Sequence, residues 1–311
     1  MSVAKAATAA TPTNPTPADS RVPGSRFLMY GVAAVVVLGV ALAWAAHELA
    51  GGTVVGFHLW QLCVVAVILC VSGVMSGLSG FGFSAVGSLC LIFLPPKLAV
   101  PLLMALSTAN QLMSLGQIRE DLPKSWAEAW PGGSAPYILG GVVGVPLGVW
   151  LLNNLPAQKL MLVFGVILIA YSVYSLAKAA SHKTKGVGGA ASGMAVGFIG
   201  GTIGGFTAFP GAAVVVWTGL RNLPKKVSRA IVQPYILVLQ IVSLATNAYA
   251  HPAIFGRRFW LLLAITLPVV LPGTFAGVML YKRISDVNFK RISFILLGLS
   301  GVGLLAKVLL K

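Results

Sequence analysis

Acidic side chains are almost absent: the 311 residues contain 6 Asp and Glu against 22 Lys and Arg, a formal net charge of +16, and charged residues make up only 9% of the chain. A soluble domain carries about 25% charged residues. With 57% hydrophobic residues, too little polar surface remains to cover a water-soluble globule of this size. The chain therefore belongs in a membrane. The six acids, Asp19, Glu48, Glu120, Asp121, Glu128 and Asp286, all map to the N-terminal tail, to the ends of apolar runs or to loops. Proton relays inside a bilayer usually need a carboxylate at mid-membrane, so carboxylate-based proton coupling is disfavoured. Cysteine is equally scarce. Cys63, Cys70 and Cys90 sit inside apolar runs without a C-x-x-C spacing and read as small core hydrophobes, not as a disulfide frame or metal site. His47, His58, His182 and His251 lie near span ends. No cofactor or metal is expected.

Apolar sequence is what the chain has in abundance. A transmembrane helix takes roughly 20 apolar residues, so the length after the tail is enough for a polytopic protein. Lys and Arg fall in short clusters between the apolar runs, which is how positive charge sets orientation in a bilayer. That placement argues against a nucleic-acid partner, for which basic charge would release counterions from phosphates. Residues 1–25 are Ala/Thr/Pro-rich, with Pro12, Pro15, Pro17 and Pro23, and are expected to be disordered. Residues 26–55 hold the first span, whose apolar stretch from Phe27 to about Ala50 is too long for a signal-peptide core.

Ten further apolar runs follow, and their lengths repeat. The first set covers about 59–78, 81–95, 98–118, 134–152 and 158–179, and the second about 187–203, 206–220, 227–249, 259–281 and 288–309. Leu176-Ala177-Lys178 returns as Leu305-Ala306-Lys307, and Gln111-Leu112-Met113-Ser114-Leu115 as Gln240-Ile241-Val242-Ser243-Leu244. Both returns have the same offset, so residues 56–185 and 186–311 are expected to be two copies of one transmembrane unit. A somewhat shorter offset lays Gly77, Gly80 and Gly87 on Gly201, Gly204 and Gly211, with a short insertion near Leu220–Leu223. Five runs per copy is an odd number, so the halves should lie in opposite orientations. The expected fold is an all-α polytopic membrane protein, an N-terminal span followed by two inverted repeats. With the N-terminus cytoplasmic, most basic residues collect on the inside, among them Arg26, Arg119, Lys124, Lys183, Arg221, Lys225, Arg229 and Lys282.

Inverted repeats are a transporter architecture in which substrate binds near the midplane between broken helices. The glycine clusters Ser76–Ser84 and Gly200–Gly211 mark such breaks in both halves. Glycine lets a ligand approach the backbone closely, and the start of the short helix after each break would offer free N–H groups to an anion. Ser79, Gly80, Gly82 and Ser84 of the first cluster, and Thr202, Gly204, Gly205 and Thr207 of the second, are the candidate ligands. Small-residue helix packing is the competing explanation for these glycines, and the one adopted for Gly144, Gly148, Gly273 and Gly277. The third run of each half adds a polar face: Ser107, Gln111 and Ser114 with Asn110 beside them, and Gln233, Gln240 and Asn247. Gln111 and Gln240, equivalent by the repeat, are the leading candidates to face a central cavity, with Asn110 and Gln233 as further candidates. Interhelical hydrogen bonding is the alternative for each.

At its glycine clusters the sequence resembles the sulfite exporter TauE/SafE family, also described as sulfonate uptake permeases. The second half carries the likeness most clearly, in Gly200-Gly201-Thr202-Ile203-Gly204-Gly205, Phe209-Pro210-Gly211, Leu223-Pro224-Lys225 and Arg229-Ala230, and the resemblance covers about residues 60–310. It implies a non-enzymatic permease of the bacterial inner membrane that moves sulfite or an organosulfonate by alternating access, with a small anion and the lipid bilayer as partners. A homo-oligomer is compatible with this. A passive anion channel shares the same charge pattern. Gly77-Leu78-Ser79-Gly80 also matches the G-x-S-G around the serine of rhomboid-like proteases, but a nucleophilic serine needs a base, and no histidine lies in the middle of a later span. The orientation is testable: a C-terminal reporter active only outside the cytoplasm should be active, and one that works only in the cytoplasm should be silent.

Overall fold

The structure is a computed structural model that describes residues 53–54, 56–118, 122, 125–130, 132–178, 189–221, 223, 225–281 and 286–309. The expected tail lies outside the described residues, and so does the first span apart from Thr53–Val54. This pair forms strand β1, which runs antiparallel to β2 (Phe57–His58). The rest is helical: α1 Leu59–Ser79, α2 Phe83–Gly87, which continues as a 3-10 turn Ser88–Ile92, α3 Pro96–Ile118 and α4 Trp126–Ala129. After these come α5 Ala135–Asn154, α6 Ala157–Lys178, α7 Ala190–Thr207, α8 Gly211–Leu220, α9 Lys225–Ala250, α10 Arg257–Tyr281 and α11 Asp286–Leu309.

Helix is the expected outcome for these apolar runs, because a bilayer offers no water to backbone groups that lack an internal partner. Among the described residues, 6 helices are long and apolar enough to cross a membrane, namely α1, α3, α5, α6, α9 and α10. At about 1.5 Å per residue, the 21 residues of α1 match a hydrocarbon core of about 30 Å. The apolar stretches Phe83–Ile92 and Gly211–Leu220 are about half that length. They are the short broken segments expected after each glycine cluster. Large apolar side chains such as Trp60, Val143, Trp150, Val166, Val173, Ile199, Trp260 and Leu299 point outward, as a lipid-facing surface requires.

Four long-range pairings organise the helices: α1 with α10, α5 with α7, α6 with α11, and α3 with α9. Glycine allows the two closest of them. On α5, Gly140, Gly144 and Gly148 lie four residues apart and press on α7, where methyl groups would overlap the carbonyls of Met194, Phe198 and Thr202. Gly197, Gly201 and Gly205 of α7 return the contact; a methyl at Gly205 would lie 2.8 Å from the Gly148 Cα. The α1–α10 pair repeats the device with Gly73 and Gly77 against Val270 and Thr274, and with Gly273 and Gly277 against Cys70 and Val74. Without a hydrophobic drive between helices in lipid, such close backbone approach is what holds them together.

This packing narrows the second break, expected within Gly200–Gly211, to the end of that cluster. Residues 200–205 remain inside α7, and the helix runs on to Thr207. Gly193, Gly197, Gly201 and Gly205 contact α5 while Gly200 and Gly204 pack on Tyr235 and Pro210, and the break falls at Ala208–Pro210, with the next helix starting at Gly211. Gly201→Val should therefore lower the melting temperature of detergent-purified protein by the equivalent of about 1–3 kcal/mol or more, or abolish folding. Gly219→Ala, where nothing lies within 4 Å, should be neutral or slightly stabilising; equal losses from the two would contradict the packing described.

Candidate functional site

Each break is made by one residue in the left-handed region. Gly80 has φ 78° and ends α1, with its N–H donated to the Ser76 carbonyl at 2.6 Å. Ala208 has φ 59° and ends α7, with its N–H donated to the Gly204 carbonyl at 2.8 Å. A helix that stops inside the bilayer leaves the carbonyls of its last turn without helical partners. Two glutamines from the central helices take up one at each break. Gln111 Nε2 on α3 donates to the Gly80 carbonyl at 2.9 Å, and Gln240 Nε2 on α9 donates to the Ala208 carbonyl at 2.8 Å. The caps are 128 residues apart and the glutamines 129. This is close to the offset of the helices, not the shorter one expected from the glycines, which would have placed Gly80 on Gly204.

Both glutamines are 1% exposed, and their Oε1 atoms have no hydrogen-bond partner. Ser114 and Ser243, three residues further along each helix, are also buried with Oγ unpartnered. Asn110 donates Nδ2 to Ser76 Oγ and leaves Oδ1 unanswered, while Gln233 has neither Nε2 nor Oε1 bonded. Buried polar atoms are nearly always satisfied, and each one left open costs about 1–3 kcal/mol. These open polar atoms are concentrated around the two helix breaks.

Above the first break sits a cation. A methyl at Gly80 would overlap Gln233 Nε2 and lie 3.4 Å from Arg229 Nε, so both side chains of α9 cover this turn. Arg229, Gln233 and Gln240 are spaced at i, i+4 and i+11 and share one helix face. The two breaks also meet: Gly211, the first residue of α8, packs on Ile236 and lies close to Phe81, in the turn between α1 and α2. Phe81 bridges the larger hydrophobic core around Phe83, Leu103 and Phe209 and the smaller one around Tyr235 and Ile236.

Of the residues expected from the sequence, Gly80, Gly82, Asn110, Gln111, Gln233 and Gln240 converge on the breaks. Gly204 packs on Pro210 within the second turn. Ser84 is buried at the second position of the short helix α2. Thr207 closes its own turn, donating to the Ile203 carbonyl at 2.6 Å and accepting the Phe209 N–H at 3.1 Å. Thr202 and Gly205 face α5 instead, with Thr202 Oγ1 3.3 Å from the Gly144 carbonyl. Ser79 closes α1, and its side chain is outside the described part of the structure. Ser76 and Arg229 were not singled out as ligands from the sequence. Arg229 looks like a loop charge when read alone; its signal is the helical spacing to Gln233 and Gln240.

A family model described as sulfite exporter TauE/SafE matches residues 64–304. No curated protein matches the chain, and no solved structure does.

The unlike residues at the two caps separate local strain from function. A left-handed alanine costs about 1–2 kcal/mol relative to glycine, so Ala208→Gly should raise the melting temperature. Gly80→Ala should lower it by more than that penalty, because the new methyl also meets the Gln233 amide. Thermal unfolding in detergent decides this; a shift of the same sign in both variants would contradict the geometry.

Proposed function

The chain belongs to the sulfite exporter TauE/SafE family, and we propose that it is a permease moving a small sulfur-containing anion, sulfite or an organosulfonate, across the bacterial inner membrane by alternating access. The multi-pass helical fold and the family stand independently of the mechanism. The observation that carries the rest is the pair of helix breaks, each ended by a left-handed residue and each held by a glutamine amide from the central helices.

Two inverted repeats account for the helix pairing. A shift of 128 or 129 residues turns α1 into α7, α3 into α9, α5 into α10 and α6 into α11. It converts the α1–α10 contact into the α7–α5 contact and maps α3–α9 and α6–α11 onto themselves. A two-fold axis through α3 and α9 would give that pattern. Alternating access follows naturally from such a frame, since rocking one half against the other exposes a site on the axis to each side in turn.

The chemistry of the site suits an anion. The first N–H groups of α8 and of the short first-half segment carry the positive ends of their helix dipoles. Arg229 adds a full charge, and each glutamine amide retains a second N–H beyond the one given to its carbonyl. No covalent step is required of the protein. The basic residues between spans orient the chain N-in and raise the local concentration of anions at the cytoplasmic face.

Proteoliposomes containing the protein should take up or release sulfite or a sulfonate with saturation and counterflow. Absence of any such flux removes the proposal, and large single-channel currents would replace the carrier by a channel. Gln111→Ala and Gln240→Ala should each weaken substrate affinity by about tenfold, one lost charge-assisted hydrogen bond being worth about 1.5–3 kcal/mol, with folded protein still in the membrane. Unchanged transport would reduce both residues to packing.

A further inference from the structure

The glutamines at the breaks define the substrate more narrowly than its negative charge does. The carbonyls of Gly80 and Ala208 can only accept, so the amide group that faces each of them must be the nitrogen. Flipping either side chain would set two acceptors against one another. The orientation is therefore fixed by chemistry, and Gln111 Oε1 and Gln240 Oε1 are necessarily the atoms left open. Asn110 Oδ1 is a further open, buried acceptor in the same region, and Gln233 leaves both its Oε1 and its Nε2 open. A fully deprotonated, donor-free oxyanion has only lone pairs. It can take the amide N–H groups but leaves every one of these oxygens unanswered and repels them.

Resting on the function proposed above, we infer that the site selects an oxyanion that carries its own donor hydrogen. Hydrogen sulfite in its O–H form meets this condition, and so does a sulfonate bearing a hydroxyl or ammonium group; sulfite dianion and a plain alkylsulfonate do not. The anion's bare oxygens take the free N–H groups and the field of Arg229, and its donor answers an amide oxygen. A metal cation would also satisfy amide oxygens, but it would sit beside the positive charge of Arg229. Sites built to bond a substrate O–H reject the analogue without it far more strongly than a hydrophobic pocket rejects a size change.

Protein groups do not supply the pH dependence this implies. The charged or titratable side chains on the elements packed around α3 and α9 are Arg229 and Tyr235 on α9, Cys63 and Cys70 on α1, and Cys90 in the 3-10 turn. Tyr137 on α5, Tyr171 and Tyr174 on α6, Arg221 at the end of α8, and Lys307, which donates to the Leu91 and Ile92 carbonyls, are the others whose described side chains are buried or partly buried. Further out, Lys97 opens α3, and Arg257 and Arg258 open α10. Lys159 and Tyr249 are exposed, as are His58 before α1 and His251 after α9, and the two histidines lie 22 and 11 residues along the chain from Gly80 and Gln240. The titrating species is the anion.

Binding of four probes to the purified full-length protein, read by calorimetry, tests this. Sulfite affinity should fall roughly tenfold between about pH 6 and about pH 8, following the share of the anion that keeps its proton. At constant pH, 2-hydroxyethanesulfonate or 2-aminoethanesulfonate should bind at least roughly tenfold tighter than ethanesulfonate. The first result identifies the protonated oxyanion as the ligand, and the second alone identifies a donor-bearing sulfonate. Sulfite binding that ignores pH, together with ethanesulfonate binding as well as its hydroxy and amino analogues, overturns the inference and leaves the permease intact. So does binding that requires sodium. Failure of every probe to bind folded protein overturns both. Gln111→Leu and Gln240→Leu, if they fold, should bind weakly and lose the discrimination; retaining it would place the selecting oxygen elsewhere and overturn the assignment.

Discussion

A helix that ends in the middle of a bilayer must find partners for its last carbonyls within the protein, because lipid supplies none. This constraint organises the centre of the molecule. The left-handed residues Gly80 and Ala208 stop α1 and α7, and the carbonyls they expose are met by Gln111 and Gln240. The central helices α3 and α9 are tied to the breaks by these bonds. The amide oxygens on the far side of each glutamine follow as a necessary remainder, so the same bond that stabilises the break also creates the unsatisfied groups of the site.

The close-packed helix pairs form the frame around this centre. Glycines at four-residue spacing bring α5 onto α7 and α1 onto α10 until backbone touches backbone. Such contacts have no slack for a methyl group, so they act as rigid bodies. The short helices α2 and α8 sit between them, with Phe81 and Gly211 joining the two turns.

The spans were legible because apolar run length is set by bilayer thickness, and the ten runs after the first span agree with the helices to within a few residues. Gln111 and Gln240 were legible because a buried amide in an apolar helix is costly enough to need a reason. The glycine clusters were harder. A glycine at a helix contact and a glycine at a left-handed cap are the same letter, and the second cap is an alanine that gives no signal at all. That is why the break could be placed only somewhere within Gly200–Gly211, of which Gly201 and Gly205 serve the contact with α5. Thr202 and Gly205 were drawn into the candidate site for the same reason. Arg229 was hidden differently, as one more basic residue following a loop whose charge already had an explanation in topology.

The unlike caps also bear on how the two halves can diverge. Alanine and glycine codons differ by a single base, and position 208 carries alanine at a cost of about 1–2 kcal/mol and has no packing reason to refuse glycine, so that position can pass between them. At position 80 the step to alanine is closed by the Gln233 amide packed over the turn. Both breaks have the same left-handed geometry, but only the second tolerates the exchange. Sequence drift at the two caps is therefore one-sided: position 208 holds the residue that position 80 excludes.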